Sequence, residues 1–136
     1  MLRNPFPATV PDYHRLEVWT LACELSDRVT EMVDRLGSRL RASKADQITR
    51  AADAIHENIA EGCGYNSDAQ LAKYLRQARG SADELQDELE TLDRRKLIAT
   101  EYIDLLPRAR VLCRKLSKFI DTVDPRNRRD QRDRRR

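Results

Sequence analysis

Leu71, Leu75, Ala78, Ala82, Leu85, Leu89 and Leu92 alternate steps of four and three without a break. That period puts all of them on one stripe of a helix and leaves no room for a strand. These positions span residues 71–92, and with its flanking turns the helix they imply covers about 29 residues, on the order of 43 Å. Ser67 and Gln70 open it as a capping box, each side chain satisfying the other's orphan amide. A stripe of this length has to be buried against other helices, because water would not tolerate it exposed.

The rest of the chain supplies the partners. Asp12 is a cap for a first helix carrying Val18, Ala22, Leu25, Val29, Met32 and Leu36. Gly37 and Ser38 weaken that helix, and Ser43 is a cap for a second, running over residues 44–61 with Ile48, Ala52, Ile55 and Ile59 on one face. Gly62 and Gly64 stop it. A fourth helix carries Tyr102, Leu106, Ala109, Cys113, Leu116, Ile120 and Val123; Pro107 either kinks it or sits in its first turn with Asp104 as the cap. Four such repeats with short connections predict an all-α, antiparallel up-down-up-down four-helix bundle over residues 12–124. Residues 1–11, with Pro5, Pro7 and Pro11, read as an extended arm.

Two features exceed what a lone bundle needs. Leu105, Leu112 and Phe119 form a second apolar line on the fourth helix, seven residues apart. It is either a broad core edge or a subunit interface, and the prediction places an oligomer interface there. Gly80 and Ser81 interrupt a strong helix, which close approach of a neighbouring helix would explain.

The charge is uneven. Residues 125–136 hold seven arginines against Asp130 and Asp133, a net of +5, which leaves −2 on residues 1–124 out of the total of +3. Such a tail is too charged and too poor in apolar residues to fold alone, so disorder is expected there. Arg126, Arg128, Arg129, Arg132, Arg134, Arg135 and Arg136 suit phosphate through their planar forks, without sequence specificity. Arg39, Arg41 and Lys44 near the first connection, and Arg94, Arg95 and Lys96 at the third, are a weaker second set. In an up-down bundle both connections fall at one end and the tail leaves from the other.

Catalytic and metal chemistries find little support. A di-iron bundle needs carboxylates on four helices and two Glu-x-x-His pairs, whereas only Asp53-x-x-His56 comes close. The glycines at 62 and 64 lack the Lys-Ser/Thr of a phosphate loop. Cys23, Cys63 and Cys113 are odd in number and form no CxxC pair, as expected of reduced thiols. No apolar run approaches the about 20 residues of a membrane span, and residues 1–11 contain no apolar signal core. No cofactor, metal, small-molecule substrate or membrane contact is expected, and the compartment expected is the cytoplasm. Asn58 and Glu61 are polar groups near a glycine turn. They either tie the second helix to neighbouring amides or to Arg50, or contact a ligand.

Leu16-Glu-Val-Trp19 with Ala22, Gln47-Ile-x-Arg50-Ala51, Asn58-Ile-Ala-Glu-Gly62 and Gly80-Ser-Ala-x-Glu84-Leu85 together resemble a family of four-helix-bundle proteins. That family is encoded in intervening sequences of bacterial 23S ribosomal RNA genes. It is similar in turn to the accessory variability determinant proteins of diversity-generating retroelements. The resemblance covers about residues 13–121 and implies a homo-pentameric ring; in the retroelement relatives the ring binds nucleic acid and a reverse transcriptase. Two departures stand out. The family's Ser-Ile-Pro before the asparagine is Ala54-Ile55-His56 here, which predicts a straighter second helix, and its glycine after the third helix is Lys96.

The function expected is therefore a non-enzymatic oligomeric adaptor binding RNA or DNA backbone, acting with a reverse transcriptase or ribonucleoprotein. A protein-interaction scaffold with no nucleic-acid binding is the alternative.

Overall fold

The computed structural model describes residues 12–135, and of residues 128–131 the backbone only. The described residues are all-α: helices α1 (Glu17–Leu36), α2 (Ala42–Cys63), α3 (Asp68–Arg94), α4 (Thr100–Val123) and α5 (Pro125–Arg134), with short 3-10 turns at Tyr13–Arg15 and Gly37–Arg39. The expected arm, residues 1–11, lies outside the described residues. No described helix is long and apolar enough to cross a membrane.

Each of the first four helices packs on the next, and α4 closes against α1. The core is built from the stripes read above. All six apolar positions of α1 and all seven of α3 are buried, with Ile48, Ala52, Ile55 and Ile59 from α2. Contacts between neighbours run in opposite order along the two helices. Lys115, Asp104 and Glu101 of α4 pair with Glu17, Arg28 and Arg35 of α1. On the next seam, Arg76, Arg79 and Gln86 of α3 meet Asp124, Ser117 and Cys113. Inside the bundle, the buried Ser26 hydroxyl donates to Asp53 and ties α1 to α2.

Helix ends depart from expectation in instructive ways. Asp12 does not cap α1; its carboxylate accepts from the His14 amide and caps the 3-10 turn instead. Ser43 is not a cap either, because α2 starts two residues earlier than expected, with Arg41 at its N-cap and no side-chain cap. Ser67 does cap α3, accepting from the Gln70 amide at 3.3 Å. At the other end of α3 the Leu97 amide reaches back to the Leu92 carbonyl and the Lys96 amide to that of Asp93. This is a Schellman turn, and its left-handed position, φ 59°, is filled by Lys96 where the family has glycine. Pro107 lies in the interior of α4, not in its first turn, and Asp104 pairs with Arg28 and Arg108 rather than capping. Helix α2 runs unbroken through His56, as the missing proline predicts.

Two expectations are corrected by burial. Leu105 and Leu112, 2% and 0% exposed, are core residues of the single chain and not interface residues, while Phe119 is half-buried against the core, so this line is a broad core edge with only Phe119 partly accessible. Gly80 is exposed, and a Cβ built there meets nothing within 4 Å, so no helix approaches it. The close approach is at Gly62, where a Cβ would lie 2.8 Å from Tyr74 Cβ and 3.2 Å from Leu71 Cδ1.

Residues 125–134, expected to be disordered, form helix α5. The physical reason is local. Asp124 accepts from the Arg126 amide at 2.9 Å, Pro125 sits at the first helical position with its φ already set, and arginine is a good helix former.

Candidate nucleic-acid interface

The two short connections α1–α2 and α3–α4 come together at one end of the molecule. Between them lies a groove of about 600 Å³ lined by Arg39, Arg41, Ser43, Lys44, Gln47 and Arg95, with Leu40 and Leu97 at its floor. No carboxylate lines it. Arg39, Arg41 and Arg95 are exposed, and Arg39 touches only the Arg35 carbonyl, at 3.5 Å. Lys44 behaves differently from the others. Its ammonium sits 2.5 Å from the buried carboxylate of Glu88, so its charge is spent inside the molecule and it anchors the start of α2 to α3. Arg94 and Lys96 are exposed at the same end but do not line the groove. Of the six loop cations named from sequence, three therefore converge as free charge.

The α5 arginines form a separate set. Helix α4 ends beside the first turns of α3, and there Asp124, 2% exposed, takes the Arg76 guanidinium on one side and Arg126 on the other. The Arg126 amide foremost, then the Arg126 side chain and Arg76, hold the Asp124 carboxyl down to about 2 against the opposing effect of burial. Arg126 is thus partly neutralised, while Arg132, Arg134 and Arg135 are exposed. The side chains of Arg128 and Arg129, and Arg136 altogether, lie outside the described residues. Sequence reading missed the Asp124 node, although Asp-Pro ahead of a helix-forming run is a start signal in its own right.

Of the remaining polar candidates, Asn58 and Arg50 are tied within α2 and Glu61 is not. The Asn58 amide donates to the Ala54 carbonyl of its own helix at 2.7 Å, Glu61 is exposed, and Arg50 pairs with Asp46. Burial pushes the Cys63 thiol up to about 11, with Asp12 adding to it. Burial, then the hydrogen bond to Asp83, pushes Cys113 up to about 12, and burial raises Cys23 as well. All three stay protonated and poorly nucleophilic at neutral pH. Among the described residues no group of three or more His, Cys, Asp or Glu is placed to hold a metal ion.

An all-α chain closed around one core, with a carboxylate-free basic groove at one end, belongs to the class of small helical bundles. The chain matches the family of the 23S rRNA-intervening sequence protein over residues 14–118, and it belongs to that family. Its fold is shared with a crystal structure of a protein with unknown function from the S23 ribosomal protein family of Bacteroides thetaiotaomicron VPI-5482. That structure has a TM-score of 0.71 at 24% identity, covering 76% of this chain and 97% of the other. No curated protein matches the chain.

Proposed function

We propose that this protein is a non-enzymatic accessory protein that binds structured nucleic acid through its backbone phosphates, as a homo-oligomer with its four long helices running antiparallel, up-down-up-down. The opposite order of the ion pairs along neighbouring helices supports that topology. The observation that carries the binding role is the groove in which Arg39, Arg41 and Arg95 from two connections converge with no carboxylate between them. Guanidinium groups held on short connections braced by the core read phosphate geometry well, and three of them in one groove favour a backbone over an isolated anion. The exposed arginines of α5 add affinity without sequence preference. The family resemblance favours a cytoplasmic ring of five and a reverse transcriptase or ribonucleoprotein as the protein partner.

The test is direct. Nuclease-treated, salt-washed protein is titrated at low salt into labelled structured RNA, duplex DNA and single-stranded DNA, with anisotropy as the readout. Binding to at least one, tightest for structured RNA or duplex, is expected. Failure to bind any of them would leave the protein-interaction scaffold as the function.

A further inference from the structure

At the end opposite the basic groove lies a second groove, also of about 600 Å³, lined by Tyr13, Trp19, His56, Glu57, Ala60, Glu61, Gly64 and Tyr65. Its aromatic wall is ordered. The Tyr13 and Trp19 rings meet edge to face at 5.4 Å, and Tyr65 is stacked on Tyr74 at 5.3 Å with their hydroxyls 3.2 Å apart. Glu57 and Glu61 sit four residues apart on α2 and both are exposed. No Lys or Arg ion pair forms with either of them among the described residues. Like charges at this spacing repel one another by a few tenths of a kcal/mol in an isolated helix, a cost that a cation between them would reverse. Glu61 shares a hydrogen bond with the Tyr65 hydroxyl at the rim, and neither carboxylate has a cation opposite it among the described residues. Aromatic faces beside carboxylates that lack a cation are the surroundings a guanidinium prefers, because it stacks flat on a ring and donates in its own plane.

We propose that this acidic and aromatic groove is a guanidinium site and that its occupant is the arginine-rich α5 of a second copy of the chain. Charge complementarity argues for that occupant: α5 presents exposed Arg132, Arg134 and Arg135, and it has almost no apolar side chain of its own to bury. Within its own chain α5 is fastened elsewhere, on α4 and, through Asp124 and Arg76, on α3, whereas the groove belongs to the start of α1 and the end of α2. Groove and α5 are different surfaces, so each copy offers one of each, and the contact is made either reciprocally across a two-fold axis or head-to-tail around a ring. Helix α5 lies beyond the residues matched to the family, which makes this contact a property of this chain rather than of the family fold. The proposal concerns the oligomeric part of the reading above and is tested without nucleic acid, so either can fail alone.

Trp19 is the sole tryptophan and lines the groove, so it reports occupancy. The experiment is sedimentation velocity on full-length, nucleic-acid-free protein over a dilution series, with Trp19 emission recorded in parallel. Association that is lost on dilution together with a change in Trp19 emission is expected. Glu57→Gln with Glu61→Gln should weaken it by about tenfold or more while helicity is retained. Two charge-reversed chains then give the decisive arm. Glu57→Arg/Glu61→Arg and Arg132→Glu/Arg134→Glu/Arg135→Glu should each fail to self-associate yet associate when mixed. A wild-type monomer throughout overturns the proposal, as does an oligomer indifferent to E57Q/E61Q. A Trp19 response to the α5 substitutions that is independent of concentration places α5 in its own chain's groove and overturns it too.

Discussion

The two basic regions of this molecule are held by different physics. The loop arginines Arg39, Arg41 and Arg95 stand on connections whose neighbours, Leu40 and Ile98, are buried, so their positions are fixed by the same core that folds the chain. Helix α5 buries none of its described side chains and rests mainly on Asp124, which both caps it and clamps it to α3, with Asn127 donating to Asp121 at 3.1 Å. Charge alone therefore does not tell which arginines are positioned. A groove set by packing keeps its shape, whereas a helix held by polar contacts at one end is more readily released.

The strongest way to test this contrast is to damage the core. Leu112→Ala should cost about 2–5 kcal/mol, because it deletes a fully buried side chain between helices. The melting temperature should drop by many degrees, and the loop groove should lose nucleic-acid affinity with it. A variant that melts like wild type but dissociates into smaller species would restore Leu112 to a subunit interface.

A smaller effect is expected at Gly62. Alanine there forces Tyr74 Cβ to move, and overpacking of this kind costs about 1–3 kcal/mol. That outweighs the about 1 kcal/mol gained by removing a helical glycine, so Gly62→Ala should melt below wild type. Gly80→Ala, with open space around it, should gain the same roughly 1 kcal/mol and melt above it. Calorimetry on the pair decides, and matching signs would refute the assignment of the close contact.

Lys96→Gly should also stabilise, by about 1 kcal/mol, since it removes a side chain from a left-handed position while leaving the Schellman hydrogen bonds in place. No change in chemical denaturation midpoint would mean that the turn carries no strain.

The subtlest test concerns α5. The Asp124 carboxyl is lowered to about 2 in the folded chain, from an ordinary value of 3.8. Its contribution is thus present above the ordinary value and is lost as pH falls from there through about 2. Amide exchange in residues 126–134 should accelerate over that window ahead of exchange in α1–α4, and Asp124→Asn should move α5 toward that behaviour at neutral pH. Exchange of α5 and the bundle in step would show that α5 is part of the cooperative unit.

These contrasts also show what the sequence made legible. The stripes of α1, α2 and α3 were readable because burial there follows a single period. Leu105 and Leu112 were not, since a second line beside a stripe has the same spacing whether it meets another helix of the chain or another subunit. Gly62 and Gly80 are equally glycine in helical sequence, and only the distance to Tyr74 separates them. In α5 the composition argued for disorder, while capping by Asp124 and its clamp on the distant Arg76 prevailed. The convergence of the loop arginines followed from topology, but the loss of Lys44 to Glu88 depended on a buried carboxylate that reads in sequence as one more surface charge.

The central claim is that the loop groove, rather than the tail alone, takes nucleic-acid phosphates. It is tested most directly by the salt dependence of duplex binding in the full-length chain. Each phosphate contact on duplex DNA contributes about −0.9 to the slope of log K against log salt. Arg39→Ala/Arg41→Ala/Arg95→Ala should flatten the slope by about two to three units and abolish any preference for structured over single-stranded RNA. Arg132→Gln/Arg134→Gln/Arg135→Gln should weaken all ligands alike and leave that preference intact. If the groove triple variant keeps the wild-type slope and preference, the groove is not the site.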